Sequence, residues 1–334
     1  MNYKVVYLEE CCEILDNKRV PITAKDRKEG IYPYYGANGI QGYIDQYIFD
    51  DELVLLAEDG GHFEDKKKPI AYRVSGKCWV NNHAHVLKPL DCIDVDYLCY
   101  SLMFYNVDGI INGATRKKLT QSAMRKMKIY LVNLDTQKTI VQHLKCIEKI
   151  IELRRQQLVD FDVFVKSQFV EMFGDPISNS KDLKTVKMEK ACFLKAGITT
   201  SAEDIHDQSK EYTVPCYGGN GIRGFVKKAT QHGIYPIIGR QGALCGNVQL
   251  AFGDFHATEH AVLVRPLLEQ NEIWLYYLLK LMDLYRYHTG AAQPGLAVKT
   301  LNMLDIIIVD KKKQDQFATF VQQVDKSKFS CIMK

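Results

Sequence analysis

The sequence predicts a mixed α/β (α+β) protein in which one domain occurs twice and long antiparallel coiled-coil helices separate the copies. Three observations lead to this fold class. An internal repeat covers most of the 334 residues, strand-like and helix-like patterns alternate within each copy, and an apolar heptad pattern, interrupted by Arg154 and Gln168, follows the first copy. Because two copies are too few for a solenoid, we expect a pseudo-twofold molecule with two packed helices.

The repeat is visible by direct comparison of short segments, which recur 182 or 177 positions later. The matched segments are PYYGANGIQGY (33–43) with PCYGGNGIRGF (215–225), NNHAHVLKP (81–89) with TEHAVLVRP (258–266), and KIYLVN (128–133) with DIIIVD (305–310). We therefore assign a first domain to residues 1–133 and a second to 177–309. The helical segments 134–174 and 310–334 follow them.

Within each copy, strand-like runs precede one helix and a closing strand. In the first copy these elements are predicted at Glu52–Ala57, Ile70–Val74, His85–Leu87, Val95–Phe104 (helix) and Ile129–Val132. In the second copy they are predicted at Ile234–Ile238, Asn247–Ala251, Ala261–Val264, Trp274–Tyr285 (helix) and Ile306–Val309. The glycine-rich segments 36–42 and 218–224 contain Asn-Gly, which indicates a tight turn between strands.

A long helix is predicted over Asp135–Phe173, where neither Gly nor Pro interrupts an a/d heptad pattern. The apolar positions expected at a helix or partner interface are Ile140, Leu144, Ile147, Ile151, Leu158, Phe161, Val165 and Met172, and in the second helix Phe317, Val321 and Val324. The second helix is shorter by about two heptads. We therefore expect the stretch from Leu158 to Met172 to be exposed and available to another subunit or to a second copy of the chain.

Composition and motifs exclude several classes of protein. The net charge is only +4, and ten cysteines without metal-ligand spacing indicate reduced thiols and a cytoplasmic location with no membrane segment. No P-loop is present, GANGIQG does not open a helix, and HATEH lacks the glutamate of a zinc protease. We therefore predict no catalytic residue and no metal site, which argues against a stand-alone nuclease or methyltransferase.

Polar side chains beside the repeated glycines are suited to DNA. Lys and Arg neutralise phosphates, whereas Asn, Gln and Arg hydrogen-bond to base edges. The candidates in the first copy are Tyr35, Asn38, Gln41, Tyr43, Glu58, Asp59, His62, His83, Thr115, Arg116, Lys117 and Lys118. Those in the second are Tyr217, Asn220, Arg223, Arg240, Gln241, Asn247, His260, Gln293 and Lys299. The alternative is that the glycines serve turns and the charges serve solubility.

The two copies differ at several of these polar positions. Gln41 aligns with Arg223, and Glu58-Asp59 aligns with Arg240-Gln241, while the framework glycines and apolar strands match. One scaffold that carries two different polar surfaces is typical of a protein that reads two different short sequences. HAH at 83–85 could place two imidazoles on one face, but the second copy has His260 and Val262 there, so a shared metal site is not expected.

The segments YYGANGIQGYID, LAEDGG, NNHAHVLKP, NGATRKKL and FVEMFGDP resemble the specificity subunit of type I restriction–modification systems over essentially the whole chain. The resemblance implies two target-recognition domains, each reading one half of a bipartite, asymmetric DNA site, with the helices setting the spacer. It implies a non-catalytic subunit without its own cofactor. The expected partners are double-stranded DNA, two modification subunits that use S-adenosylmethionine, and restriction subunits that use ATP and Mg²⁺.

The shortened second helix departs from the family pattern, in which a complete helix and a further tail are usual. This departure leaves three alternatives open. The chain could form a homodimer that completes the helix pair, act as an inactive or regulatory truncated subunit, or serve as a structural adaptor that does not bind DNA.

Overall fold

The computed structural model of the chain describes residues 3–113, 117–290 and 294–333, with side chains described as far as residue 328. The chain divides into two compact units, Met1–Ile151 and Glu152–Lys334, which are described separately below. The division falls inside the long helix, and the domain boundaries at 133 and 177 remain a prediction.

The first unit contains a six-stranded sheet, a two-stranded ladder and helices. Its elements are β1 Lys4–Tyr7, β2 Cys12–Ile14, β3 Tyr32–Gly36, β4 Gly39–Ile44, β5 Phe49–Ala57, β6 Ala71–Val80, β7 Ala84–Pro89, α1 Val95–Met103, α2 Gln121–Arg125, β8 Lys128–Leu131 and the start of α3 Leu134–Phe173. The strand order of the large sheet is β2-β7-β5-β6-β3-β4, and β1 pairs antiparallel with β8.

Strand β5 lies inside this sheet and is covered on both faces. Its Leu53 to Ala57 side chains are fully buried, because β6 and β7 flank it and apolar clusters cover each side. A continuous apolar run is what such a two-sided burial requires. Helix α1 covers one face, and it begins where the Asp94 carboxylate accepts hydrogen bonds from two backbone amides, as a helix N-cap does.

The second unit repeats this arrangement. Its elements are β9 Thr185–Lys187, α4 Met188–Ala191, β10 Cys192–Ala196, β11 Val214–Gly218, β12 Gly221–Val226, β13 Gln231–Gly239, β14 Val248–Ala257, β15 Ala261–Pro266, α5 Glu272–Leu281, α6 Val298–Asn302, β16 Asp305–Ile307 and α7 Lys311–Met333. The order of its large sheet, β10-β15-β13-β14-β11-β12, is that of the first unit strand for strand. The predicted α/β class, with two sheet-rich domains and a long helix between them in the chain, is confirmed.

The glycine-rich segments form tight hairpin turns, as predicted. In the first unit β3 and β4 pair from Tyr32–Ile44 to Gly36–Gly39, and Gly39 has a φ of 109°. Because L-residues rarely adopt a positive φ, glycine is favoured at this turn. The short strands β2 and β10, which sequence reasoning missed, add an outer edge to each sheet.

In the second unit, the end of α3 packs antiparallel on α7. The ring of Phe317 lies 5.3 Å from that of Phe169 and 5.8 Å from that of Phe173. Farther along α7, Lys328 forms a 2.6 Å ion pair with Asp162. Residues later in α7 thus contact residues earlier in α3, which is the order that an antiparallel pair requires. The three phenylalanines are buried.

The expectation that the stretch from Leu158 to Met172 would be exposed is wrong. Val165 is fully buried, and Phe161 and Met172 pack against the core of the second unit. In an antiparallel pair the start of the second helix faces the end of the first. The shorter helix α7 therefore covers the C-terminal part of α3, and its missing turns leave the middle of α3 uncovered. The exposed stretch of α3 is residues 145–156 instead.

Candidate nucleic-acid interface

In the first unit, the β3–β4 turn, the segment after β5 and the turn before β7 meet at one place. The Asn38 side-chain amide donates to the Gly60 carbonyl (2.9 Å), and the Asn81 amide donates to Gln41 Oε1 (3.1 Å). Asn81 also accepts a hydrogen bond from the backbone N–H of His83 (2.8 Å). Gln41 and Asn38 are exposed, so hydrogen bonds from a common frame orient side chains that still face solvent.

The two acidic candidates in this region already have cationic or imidazole partners. Glu58 lies 2.6 Å from Arg19 and 3.0 Å from Lys118, while Asp59 lies 3.0 Å from His83 Nδ1. Burial alone would raise the pKa of Glu58, but hydrogen bonds from Arg19 and Lys118 outweigh burial and lower that pKa. These contacts offset the negative charge that would otherwise repel a phosphate backbone.

Below these groups lies a buried polar cluster centred on His85, which is 0% exposed. Its Nδ1 is 2.7 Å from Asp16 Oδ2, and its Nε2 donates to the carbonyl of Leu119 at 2.9 Å. The second carboxylate oxygen of Asp16 accepts from the N–H of Val86 (2.9 Å), and Oδ2 also accepts from Gln121 (2.9 Å). The cluster therefore ties the segment that follows Lys118 to strand β7.

Asp16, Glu58 and His85 also bring three ligand atoms within 4.8 Å of one another, the spacing a metal ion requires. Their hydrogen bonds do not suit that use. Both ring nitrogens of His85 face acceptors, and the carboxylates face Arg19 and Lys118. Since a metal needs an unprotonated ring nitrogen and displaced cations, the arrangement is that of an ion-pair cluster.

In the second unit, the equivalent edge of the sheet forms an open pocket of about 600 Å³. Its walls come from the β11–β12 turn, the segment after β13, and the turn between β14 and β15. Predicted residues that line it are Asn220, Arg223, Gln241 and His260. Asn247 lies beside the pocket and donates a 2.6 Å hydrogen bond from its amide to Asn220 Oδ1.

The backbone holds this pocket in shape. Arg240 N–H donates to the His260 carbonyl (3.0 Å), and the Arg240 carbonyl accepts from Leu296 (2.8 Å). A side chain on Gly239 would place its Cβ 2.0 Å from the carbonyl oxygen of Gly219, so these two segments approach as only glycine permits. The buried Nε of Arg240 has no hydrogen-bond partner among the residues that the structure describes.

Other predicted contacts lie away from these two places or outside the described residues. Tyr217 is 9% exposed and packs on Phe255, and Tyr35 packs on Tyr72, so both rings belong largely to the fold. Tyr43 is exposed on β4, Lys299 is exposed on α6, and His62 lines a separate cavity of about 240 Å³. Lys117 follows the undescribed stretch 114–116, and Thr115, Arg116 and Gln293 lie outside the described residues.

Sequence reasoning missed the residues that support the candidates. Asn81 and His85 appeared in the repeated segment 81–89, yet their partners Gln41 and Asp16 are 40 and 69 residues away in the chain. In the second unit Glu259, which pairs with His260 at 3.2 Å, was also missed. The adjacency of Glu259 to a repeated histidine was the available signal.

The first region thus presents amide and imidazole groups, and the second presents amide, imidazole and guanidinium groups, each above a frame of hydrogen bonds. Amides and guanidiniums make two hydrogen bonds at once to base edges in the major groove, whereas cations bind phosphates. The first region combines an amide with neutralised acids, and the second combines Arg223, Gln241 and two asparagines without an equivalent acid pair. The duplicated fold therefore defines a class of protein with one candidate nucleic-acid-binding region in each unit.

Comparison with known families agrees with this class. The family described as the type I restriction modification DNA specificity domain matches residues 1–160 and 180–332. Since this match covers most of the chain, the protein belongs to that family.

Two named relatives match a shorter region. The EcoprrI specificity subunit of Escherichia coli, a type I restriction enzyme subunit, is 44% identical over 133 residues, which is 40% of this chain and 33% of the relative. A Haemophilus influenzae protein provisionally named as a type I restriction enzyme specificity subunit is 36% identical over 135 residues, which is 40% of this chain and 34% of the relative. The matched region thus spans about a third of each curated relative.

Solved structures share the fold. The type I restriction–modification S subunit from M. genitalium has a TM-score of 0.57 at 15% identity, covering 100% of this chain and 94% of its own. A chain solved in work on complex assembly and conformational transition of a type I system has a TM-score of 0.59 at 14% identity, covering 99% and 93%. At this identity the likeness establishes the fold. In the described part of the chain, no helix is both long and apolar enough to cross a membrane.

Proposed function

We propose that this chain is a DNA-reading specificity subunit of a type I restriction–modification complex, with each unit reading one half of a bipartite, asymmetric site. The observation that carries this proposal is the pair of sheets with identical strand order whose equivalent edges hold different polar groups. A common frame with divergent reading groups suits two different half-sites better than it suits a symmetric one.

The chemistry of the aligned positions supports different base preferences. The Gln41 amide, oriented by Asn81, is suited to adenine, which offers one acceptor and one donor in the major groove. At the aligned position, Arg223 is suited to guanine, which offers two acceptors there. Arg240 and Gln241 add two further groups that can reach base edges in the second unit.

We further propose that α3 sets the spacer between the half-sites. At about 1.5 Å per residue, its 40 residues extend for roughly 60 Å. With about 3.4 Å per base pair, that length corresponds to roughly 18 base pairs, enough for two short half-sites and an unread gap. The segments proposed for these roles are 1–133 and 177–309 for reading and 134–174 and 310–334 for spacing.

Partner subunits would supply the chemistry. The proposed complex contains two modification subunits that use S-adenosylmethionine and restriction subunits that use ATP and Mg²⁺, while this chain contributes recognition and no catalysis. Ile147, Ile150 and Ile151, which are 47–52% exposed, offer an apolar helix surface for the recruitment of a partner. A second copy of this chain is the alternative occupant of that surface.

Methylome sequencing of cells that carry the gene with its partners tests the proposal directly. The expected result is methylation at a single bipartite motif. Gln41→Ala should relax or change one half of that motif and Gln241→Ala the other, with the spacer unchanged in both. Random methylation by the wild-type complex, or a change in both halves caused by either variant, would contradict two independent reading units.

A further inference from the structure

The second unit contains a cavity of about 500 Å³ that is separate from its reading pocket. It lies between the segment that starts at Thr200 and the ends of strands β12 and β14. Its floor is His256, which is 8% exposed, and its rim carries Lys227 and Lys228.

In the described part of the first unit, two large side chains occupy the equivalent position. Tyr34 and Trp79 pair in register there and are 2% and 7% exposed. The corresponding pair in the second unit is Cys216 and His256, which occupies the same register with much less volume. Two large-to-small exchanges at matched positions thus open the cavity in the second unit while the strands keep their pairing.

The floor of this cavity is polar. His256 Nε2 is 2.8 Å from Thr200 Oγ1, and Nδ1 is 3.1 Å from Thr230 Oγ1. Thr200 donates its own proton to the Ile198 carbonyl (2.8 Å), so it accepts from Nε2–H of His256. Burial lowers the pKa of His256, which favours the neutral ring with a hydroxyl donor at Thr230.

Charge enters the cavity from its rim. Lys227 forms an ion pair with Glu211, and its ammonium lies 5.0 Å from the ring centre of Tyr212. The ring of Tyr212 also lies 3.9 Å from the ring of His206. Lys228 is exposed and forms no ion pair or hydrogen bond within the described residues. The carboxylate of Asp204 also lines the cavity and opposes the binding of an anion there.

The cavity is connected to the reading pocket by a short chain of contacts. The backbone N–H of Thr200 donates to Glu259 Oε2 (3.2 Å), and Glu259 Oε1 lies 3.2 Å from His260 Nε2. His260 lines the reading pocket and Thr200 lines the cavity, so Glu259 joins the walls of the two.

We propose that this cavity holds a backbone phosphate of DNA beside the half-site read by the second unit, with Lys228 as the principal cation. This inference rests on the proposed function. Phosphate contacts fix the register of a protein on the duplex without reading sequence, and lysines and hydroxyls commonly make them. The filled counterpart in the first unit would leave that unit without this contact.

The test measures salt-dependent DNA binding by the full chain assembled with its modification subunits. Lys228→Gln should lower the slope of log affinity against log salt by about one, equally for cognate and non-cognate duplexes. Asp204→Asn should raise affinity. Lys210→Gln, which removes an exposed charge outside the cavity, is the matched control and should change the slope less than Lys228→Gln does.

Duplexes with a single methylphosphonate identify the source of the phosphate. One neutral substitution flanking the second half-site should weaken wild-type binding by about tenfold and should have little further effect on Lys228→Gln. Two results would refute the phosphate site while the proposed function stands, provided that wild type reads its site. One is that every methylphosphonate weakens binding by Lys228→Gln as much as it weakens binding by wild type. The other is that Lys228→Gln has the same salt slope as wild type. If wild type shows no sequence preference, both fail.

Discussion

Replacing Asp16 with asparagine should destabilise the first unit strongly while leaving the second unchanged. The Asp16 side chain is 4% exposed and lies 2.7 Å from His85 and 3.5 Å from Arg19, and it accepts hydrogen bonds from Val86 and Gln121. An asparagine in its place would have an amide NH₂ where one carboxylate oxygen was, and those N–H groups would face groups that themselves donate hydrogen bonds, such as the amide of Gln121. Removing one partner of a buried charge pair costs roughly 3–5 kcal/mol.

The two tryptophans make the assay specific. Trp79 lies in the first unit and Trp274 in the second, and both are buried. Urea unfolding followed by fluorescence in a Trp274→Phe background reports the first unit, and in a Trp79→Phe background the second. With a urea dependence of about 1–3 kcal/mol per molar, Asp16→Asn should lower the first midpoint by on the order of 2 M.

Asp108→Asn is the control, because Asp108 also forms a 2.7 Å ion pair but is 58% exposed. Exposed pairs contribute about 0–1 kcal/mol, so its midpoint should barely move. An Asp16→Asn shift no larger than that of the control, or an equal shift in the second unit, would refute the stabilising role of the buried cluster.

Three further predictions concern acid stability, the helix pair and the spacer. Burial would raise the pKa values of Asp16 and Glu58, but hydrogen bonds lower them below the ordinary values of 3.8 and 4.5. The stabilisation by these carboxylates is therefore complete above the ordinary values and is lost as pH falls through the lower values of the folded protein. Urea midpoints of the first unit, measured from pH 6 to 3, should fall less steeply in Asp16→Asn than in wild type. Phe169→Ala, at a fully buried ring, should cost about 3–5 kcal/mol in the second unit by Trp274 fluorescence, whereas Val163→Ala, 57% exposed, should cost little. Inserting about one helical turn near Arg154 should lengthen the unread gap in the methylated motif and preserve both half-sites, and an unchanged gap would exclude α3 as the spacer.

Much of the frame was predictable because it depends on local patterns. The run from Leu53 to Ala57 predicted a buried strand, and Asn-Gly at 38–39 predicted a tight turn; both depend on neighbouring residues alone. The repeat then predicted the second unit from the first. The mixed fold class follows from those elements without knowledge of how the side chains pack.

The helix seam was predicted with an error of register. The heptad pattern placed Met172 on the apolar seam and Gln168 at an interrupting position of it, whereas the structure buries Phe169 and Phe173 and leaves Met172 partly buried. A straight α-helix has 3.6 residues per turn, so the buried face drifts from a 3.5-residue pattern over several turns. The exposed segment was misplaced for a different reason, because antiparallel pairing reverses which end of α3 a shorter helix covers.

The contacts that orient the candidate reading groups could not be predicted, because they join distant parts of the chain. The pairing of His85 with Asp16, and of Asn81 with Gln41, depends on the parallel and antiparallel register of five strands. Sequence comparison did indicate that the residues around Asn220, Arg223 and Gln241 belong together, since each sits beside a repeated glycine. The pocket that they share became apparent only from the folded sheet.

The shared strand order with unlike polar edges has a consequence for evolution. The buried strands that determine stability and the exposed groups proposed to read DNA occupy different residues, so exchange at Gln41 or Gln241 should cost little folding energy. Each unit could then acquire a new preference without the other changing. A modest collection of such units, recombined in pairs, would generate a number of distinct targets that grows as the square of the collection.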